Sequence, residues 1–101
     1  MPPFTNATDT VMQTIDARLK KCVFQDSSNP STITYICFAV PGTAKTASTG
    51  WGIVRIKSVS TTTPTEDDFE FPRKTAGDAT SETSELCFAL SSRESYTYGA
   101  G

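Results

Sequence analysis

Few residues of this chain could carry chemistry, and each group falls short of a working site. Gly42-Thr43-Ala44-Lys45-Thr46 places a Lys-Thr pair just after an apolar run, as phosphate-binding loops do. Such a loop needs Gly-x-x-x-x-Gly-Lys-Ser/Thr, so that its backbone N–H groups can approach the phosphates. Here Ala44 precedes Lys45 and the earlier glycine is absent, which rejects the match. Glu66, Asp67, Asp68 and Glu70 supply oxygen donors for a calcium ion but lack the EF-hand spacing and its central glycine; they read as a solvated loop. The chain has three cysteines (Cys22, Cys37, Cys87) and no histidine. That set cannot make an ordinary four-ligand zinc site within one chain. An odd number of cysteines at long spacings reads as small buried hydrophobes in a reduced protein, with Cys22 available for a bond between subunits if it is exposed. The lack of histidine removes Ser-His and Cys-His nucleophilic catalysis and the commonest general base near neutral pH. The expectation is a protein that is not an enzyme and uses no cofactor or metal. Trp51 beside Arg55, and the pair Tyr96 and Tyr98, could form an aromatic surface for a sugar or a peptide. Large aromatics also dominate cores and interfaces, and that packing role is the favoured reading.

These residues need elements to hold them. Val11, Ile15, Leu19 and Cys22 follow one another at helical intervals, with Thr8 as N-cap, Asp9 in the first turn and Lys20 and Lys21 in the last. The spacing predicts a helix over 8–24, preceded by an extended arm over 1–7 that its two prolines keep from coiling. Gln25 to Pro30 is turn chemistry. Thr32 to Val40 then reads as a strand, apolar on both faces from Ile36 onward, as suits a central or covered strand. Pro41-Gly42 ends it. Trp51 to Lys57 is a second strand with Val54 and Ile56 inward and Arg55 and Lys57 outward, and Asp68 to Phe71 a short alternating third. Leu86 to Leu90 and Glu94 to Tyr98 complete the set. The fold expected is α+β or mainly β: one domain, with an N-terminal helix followed by a small antiparallel sheet or sandwich of four or five strands over 31–98.

Composition agrees with a binding or building role. The chain has 101 residues, 37% of them hydrophobic, with a net charge of -2. A chain this short buries only about 65% of its unfolded surface, so association would add useful stability. Nothing suggests affinity for nucleic acid or for a membrane: the charge is slightly negative and no apolar run approaches the roughly 20 residues that span a bilayer. The N-terminus, Met1-Pro2-Pro3-Phe4, has no basic stretch before an apolar one and does not read as a signal peptide.

Two blocks of the sequence resemble a family of small tailed-phage virion proteins. The family pattern runs approximately Y-I-G-x-A-x-P-G-[ST]-x-x-S-x-x-x-W-x-I-x-R-I, a variable loop region, then a hydrophobic strand ending W-[DN]-x-R-x-S-x-x-Y. Here the first block stands as Tyr35-Ile36-Cys37-Phe38-Ala39-Val40-Pro41-Gly42-Thr43, Ser48 and Trp51-Gly52-Ile53-Val54-Arg55-Ile56. The second stands as Phe88-Ala89-Leu90-Ser91-Ser92-Arg93-Glu94-Ser95-Tyr96-Thr97-Tyr98. Cys37 replaces the usual glycine, Leu90 replaces a tryptophan, and the predicted helix lies outside the match. The resemblance implies a structural subunit made in the host bacterial cytoplasm and carried in the virion as head decoration, neck or collar piece, or tail accessory. Its partners would be other virion proteins and copies of itself. Tyr35, Pro41, Gly42, Trp51, Arg55, Arg93, Tyr96 and Tyr98 are then structural or interface residues. The alternative is a module that binds carbohydrate or a host surface through exposed aromatics.

Overall fold

The computed structural model describes Ile15 and residues 18–59 and 66–99. Five strands, β1 (Lys20–Gln25), β2 (Ile33–Ala39), β3 (Trp51–Val59), β4 (Glu66–Pro72) and β5 (Tyr98–Gly99), form one sheet in the order β1-β2-β3-β4-β5. Every neighbouring pair is antiparallel, so the chain is a meander.

Local chemistry sets the turns. Between β1 and β2 the Asp26 carboxylate accepts from the backbone N–H of Ser28 (3.0 Å) and of Asn29 (2.9 Å), while the Asn29 carbonyl accepts from Thr32 and Ile33. This is the Asx turn that Gln25 to Pro30 predicts. After β2, the Thr43 N–H donates to the Val40 carbonyl at 3.1 Å around Pro41 and Gly42, and Gly42 has φ 97°. Proline followed by a glycine with positive φ is the signature of a type II turn.

The sheet is buried on both faces. On one, Tyr35, Cys37, Ala39, Trp51 and Ile53 lie under Phe88, Leu90 and Tyr98 of the C-terminal segment. On the other, Ile36, Phe38, Val54 and Ile56 pack with Ile15, Leu19, Val23, Phe71 and Leu86. The doubly apolar run in β2 therefore meets a cover on each side, as read from the sequence, although Val40 just beyond it is 54% exposed. Gly52 serves the second face. Its Cα stands opposite Phe38, and a Cβ there would come within 2.3 Å of the Phe38 ring, so the missing side chain makes room for the aromatic.

Several expectations are corrected. Residues 20–24 belong to an edge strand and not to a helix; 8–14, 16 and 17, like the arm 1–7, lie outside the described residues. Ile15 and Leu19 pack on the second face while Cys22 packs on the first, so the supposed single stripe is divided between two layers. Cys22-Val23-Phe24 pairs with Tyr35-Ile36-Cys37 in the middle of β2, and that cross-strand burial outweighs a weak helical preference. Lys20 and Lys21 do not face a helix end: Lys20 Nζ donates to the Thr43 carbonyl, and Lys21 Nζ to the Leu19 carbonyl at 3.1 Å. Leu86 to Leu90 is not a strand either. Phe88 makes an isolated bridge to Trp51, and Leu90–Ser92 is a single 3-10 turn. Of Glu94 to Tyr98, only Tyr98 joins the sheet, with Gly99, against Phe71 and Pro72. β4 pairs with β3 only from Arg55 onward, which leaves the Trp51 end of β3 open for Phe88. β4 ends at Pro72, which has no backbone N–H to donate, and the next residue, Arg73, donates to the Thr97 carbonyl at 2.9 Å.

Candidate functional site

The register lines up Phe24, Tyr35, Arg55 and Glu70 across four strands as one row on the first face. Arg55 therefore does not point to solvent as its alternation suggests. Its Nε donates to Glu70 Oε1 at 2.7 Å, and its guanidinium carbon lies 4.5 Å from the centre of the Tyr98 ring. Tyr35 and Tyr98 pack with ring centres 5.9 Å apart, and the Tyr35 hydroxyl donates to Asp26 Oδ1 at 2.8 Å. That bond lowers the Asp26 pKa below the ordinary carboxylate value, and burial with the carboxylate beside it pushes the Tyr35 phenol up to about 12. Burial raises the Tyr98 phenol further still. Arg93 crosses the other end of the row, its guanidinium carbon 4.0 Å from the centre of the Phe24 ring.

Four rows further along, on the same face, Lys20, Ala39 and Trp51 are partners. Ala39 is small enough for the Lys20 ammonium to lie 5.2 Å from the Trp51 ring centre. Trp51 is wholly enclosed, and its Nε1 donates to the Ala44 carbonyl at 3.0 Å. The 42–46 loop thus turns carbonyl groups of Thr43 and Ala44 toward Lys20 and Trp51, the reverse of a phosphate cradle, which presents N–H groups.

The C-terminal segment is braced internally by side-chain bonds. The Tyr96 hydroxyl accepts from the Ala89 N–H at 2.8 Å, the Tyr98 hydroxyl donates to the Arg93 carbonyl, and Arg93 Nη1 donates to the Leu90 carbonyl at 3.2 Å. Tyr96 also stands edge-on to Phe88, ring centres 5.0 Å apart. The structure thus gathers six of the eight residues singled out from the sequence, Tyr35, Trp51, Arg55, Arg93, Tyr96 and Tyr98, around one face, while Pro41 and Gly42 shape the exposed corner beside it. Asp26, Phe24 and Glu70 complete the arrangement and were not singled out. Glu70 is mostly buried on the first face beside Arg55, where a carboxylate needs a cationic partner.

An aromatic binding surface built on Trp51 is not formed, because that ring is inside. A shallow groove of about 440 Å³ lies between Arg73, Lys74, Cys87, Phe88 and Tyr96. Its cations are paired, Arg73 Nε with Glu82 Oε2 at 3.0 Å and Lys74 with Glu85. Among the described residues no group of three or more cysteine, aspartate or glutamate side chains is placed to hold a metal ion. No protein-family model, curated protein or solved structure matches the chain.

Proposed function

We propose that this chain is a non-enzymatic structural subunit of a tailed-phage virion, acting through symmetric contacts with copies of itself and with other virion proteins. One observation carries the reading. The two sequence blocks that resemble the virion family meet in space: Trp51 and Phe88 exchange both backbone hydrogen bonds (3.0 and 2.9 Å), and Arg55 of the first block lies against Tyr98 of the second. The pattern thus works as a framework in which its polar groups serve one another. Fold maintenance by a shared pattern, with function left to surface contacts, suits an assembly subunit. Val40 (54% exposed) and Phe69 (37%) are apolar side chains on the surface from which such contacts can be built.

Gradient-purified particles of the phage that encodes the chain test the proposal. Quantitative mass spectrometry is expected to find it at a copy number matching a symmetry axis of the head, neck or tail. Its absence from washed particles, with abundance in the infected-cell lysate, would reject the proposal.

A further inference from the structure

Two cysteines fifteen positions apart, by their numbers, are direct neighbours in the sheet. Cys22 of β1 is the register partner of Cys37 of β2, and both side chains belong to the face under the C-terminal segment. Cys37 is fully enclosed and Cys22 half-buried. The type of pairing follows from the neighbouring turn. The Asp26 N–H donates to the Ile33 carbonyl at 3.0 Å, which makes those two a hydrogen-bonded pair. Such pairs recur at every second row of an antiparallel ladder, and Cys22 and Cys37 are four rows away. Their Cα atoms are then about 5.5 Å apart, inside the range of about 4.4–6.8 Å that a disulfide spans.

We infer that Cys22 and Cys37 form a reversible intramolecular disulfide, closed by a low-molecular-weight disulfide such as glutathione disulfide, that fastens the edge strand β1 to β2. The half-buried Cys22 meets the oxidant first. Its thiolate attacks one glutathione sulfur, the glutathione S–S bond breaks, and one glutathione thiolate leaves. The Cys37 thiolate then attacks the Cys22 sulfur and expels the second glutathione. The two protein thiols give up two protons and two electrons, and one glutathione disulfide becomes two glutathione molecules.

The second attack is the slow one, because burial pushes the Cys37 thiol up to about 12 and only the thiolate reacts. Arg93 opposes this. Its positive charge acts on Cys37 in favour of the thiolate, and its buried Nε has no hydrogen-bond partner among the described residues. Closure also draws the strands together, since ladder partners start about 4.5–5.5 Å apart at Cβ and a relaxed disulfide holds them at about 3.8 Å. A bond closed against that tension is readily reduced, which makes the pair a switch more than a permanent staple. The inference stands independently of the virion proposal.

The full chain, folded at neutral pH, is incubated with glutathione disulfide, then unfolded in guanidinium chloride, blocked with N-ethylmaleimide and digested with trypsin. No lysine or arginine lies between Lys21 and Lys45, so both cysteines fall in the one peptide 22–45. That peptide is expected to lose two hydrogens and take up no maleimide, while Cys87 is blocked; dithiothreitol restores two sites on peptide 22–45. Oxidation is expected to raise the melting temperature by several degrees, and both Cys22→Ser and Cys37→Ala are expected to lose that rise. Two maleimides on peptide 22–45 after oxidation of the folded chain would overturn the inference. So would a bond from Cys22 to Cys87, or to a second copy as a covalent dimer in non-reducing electrophoresis.

Discussion

The two faces of the sheet are built on the same central strands by different means. On the face of Ile36, Phe38, Val54 and Ile56 the described contacts are apolar side chains fitted together. The face of Tyr35, Trp51 and Arg55 carries phenols, guanidinium groups and carboxylates that find one another. The cover explains the difference. The segment from Cys87 to Tyr98 enters the sheet's hydrogen bonding through one bridge and one two-residue strand, so few of its backbone groups enter a ladder. Its path is specified instead by directional side-chain bonds, which an apolar surface cannot supply. Shape fits one layer, and bonds aim the other.

The largest effect should come from Trp51→Ala. It removes the largest fully buried side chain together with its bond to Ala44, at a cost of about 4 kcal/mol. Against the 5–15 kcal/mol typical of a domain, that threatens folding altogether, and chemical denaturation measures it. Ile36→Ala on the apolar face should cost about 3 kcal/mol and leave near-UV signals from Trp51 intact. Equal loss of those signals in both variants would erase the distinction between the faces. Gly52→Ala should cost about 2 kcal/mol by forcing the Phe38 ring aside, and Phe38→Leu in the same chain should recover part of it. Full additivity in that double-mutant cycle would show that the ring and the glycine do not interact.

Tyr35→Phe should cost about 1.5 kcal/mol, since it leaves the Asp26 carboxylate without its phenol donor. The same bond makes stability depend on pH. The folded state holds Asp26 more acidic than the unfolded chain does, so in acid the unfolded state binds more protons and stability rises with pH. The contribution is complete above the unfolded pKa, about 3.9, and is lost as pH falls through the lower folded value. Tyr35→Phe should flatten that acid limb in urea titrations at several pH values; an unchanged slope would remove Asp26 from the account.

Much of this was legible beforehand. Thr32 to Val40 and Trp51 to Lys57 announce themselves by β-branched and aromatic residues, and Pro41-Gly42 by the turn only that pair makes easily. The segment at Lys20 to Phe24 was not, because Val11, Ile15, Leu19 and Cys22 satisfy a helical period while Cys22-Val23-Phe24 gains more from pairing with β2. A short local pattern cannot register a partner strand that arrives later in the chain. The segment after Leu86 misled for the opposite reason. Leu86-Cys87-Phe88-Ala89-Leu90 has strand composition, yet β4 already occupies most of the edge of β3, and only the Trp51 end was left for Phe88. Trp51, Tyr96 and Tyr98 read as packing residues, whereas Arg55 reads as facing solvent; Glu70 enters once the register sets it opposite Arg55, and Asp26 once the turn brings it to the Tyr35 hydroxyl.

Side-chain bonds within the C-terminal segment set its path over the sheet. Hydrogen exchange of Tyr98→Phe against the unaltered chain tests this claim most directly, because the change deletes one hydroxyl, the donor to the Arg93 carbonyl, and leaves the ring. Amides of Phe88, Arg93 and Ser95 should exchange about tenfold faster while those within β2 keep their protection. Acceleration spread evenly over β2, β3 and the C-terminal segment, or none anywhere, would contradict it.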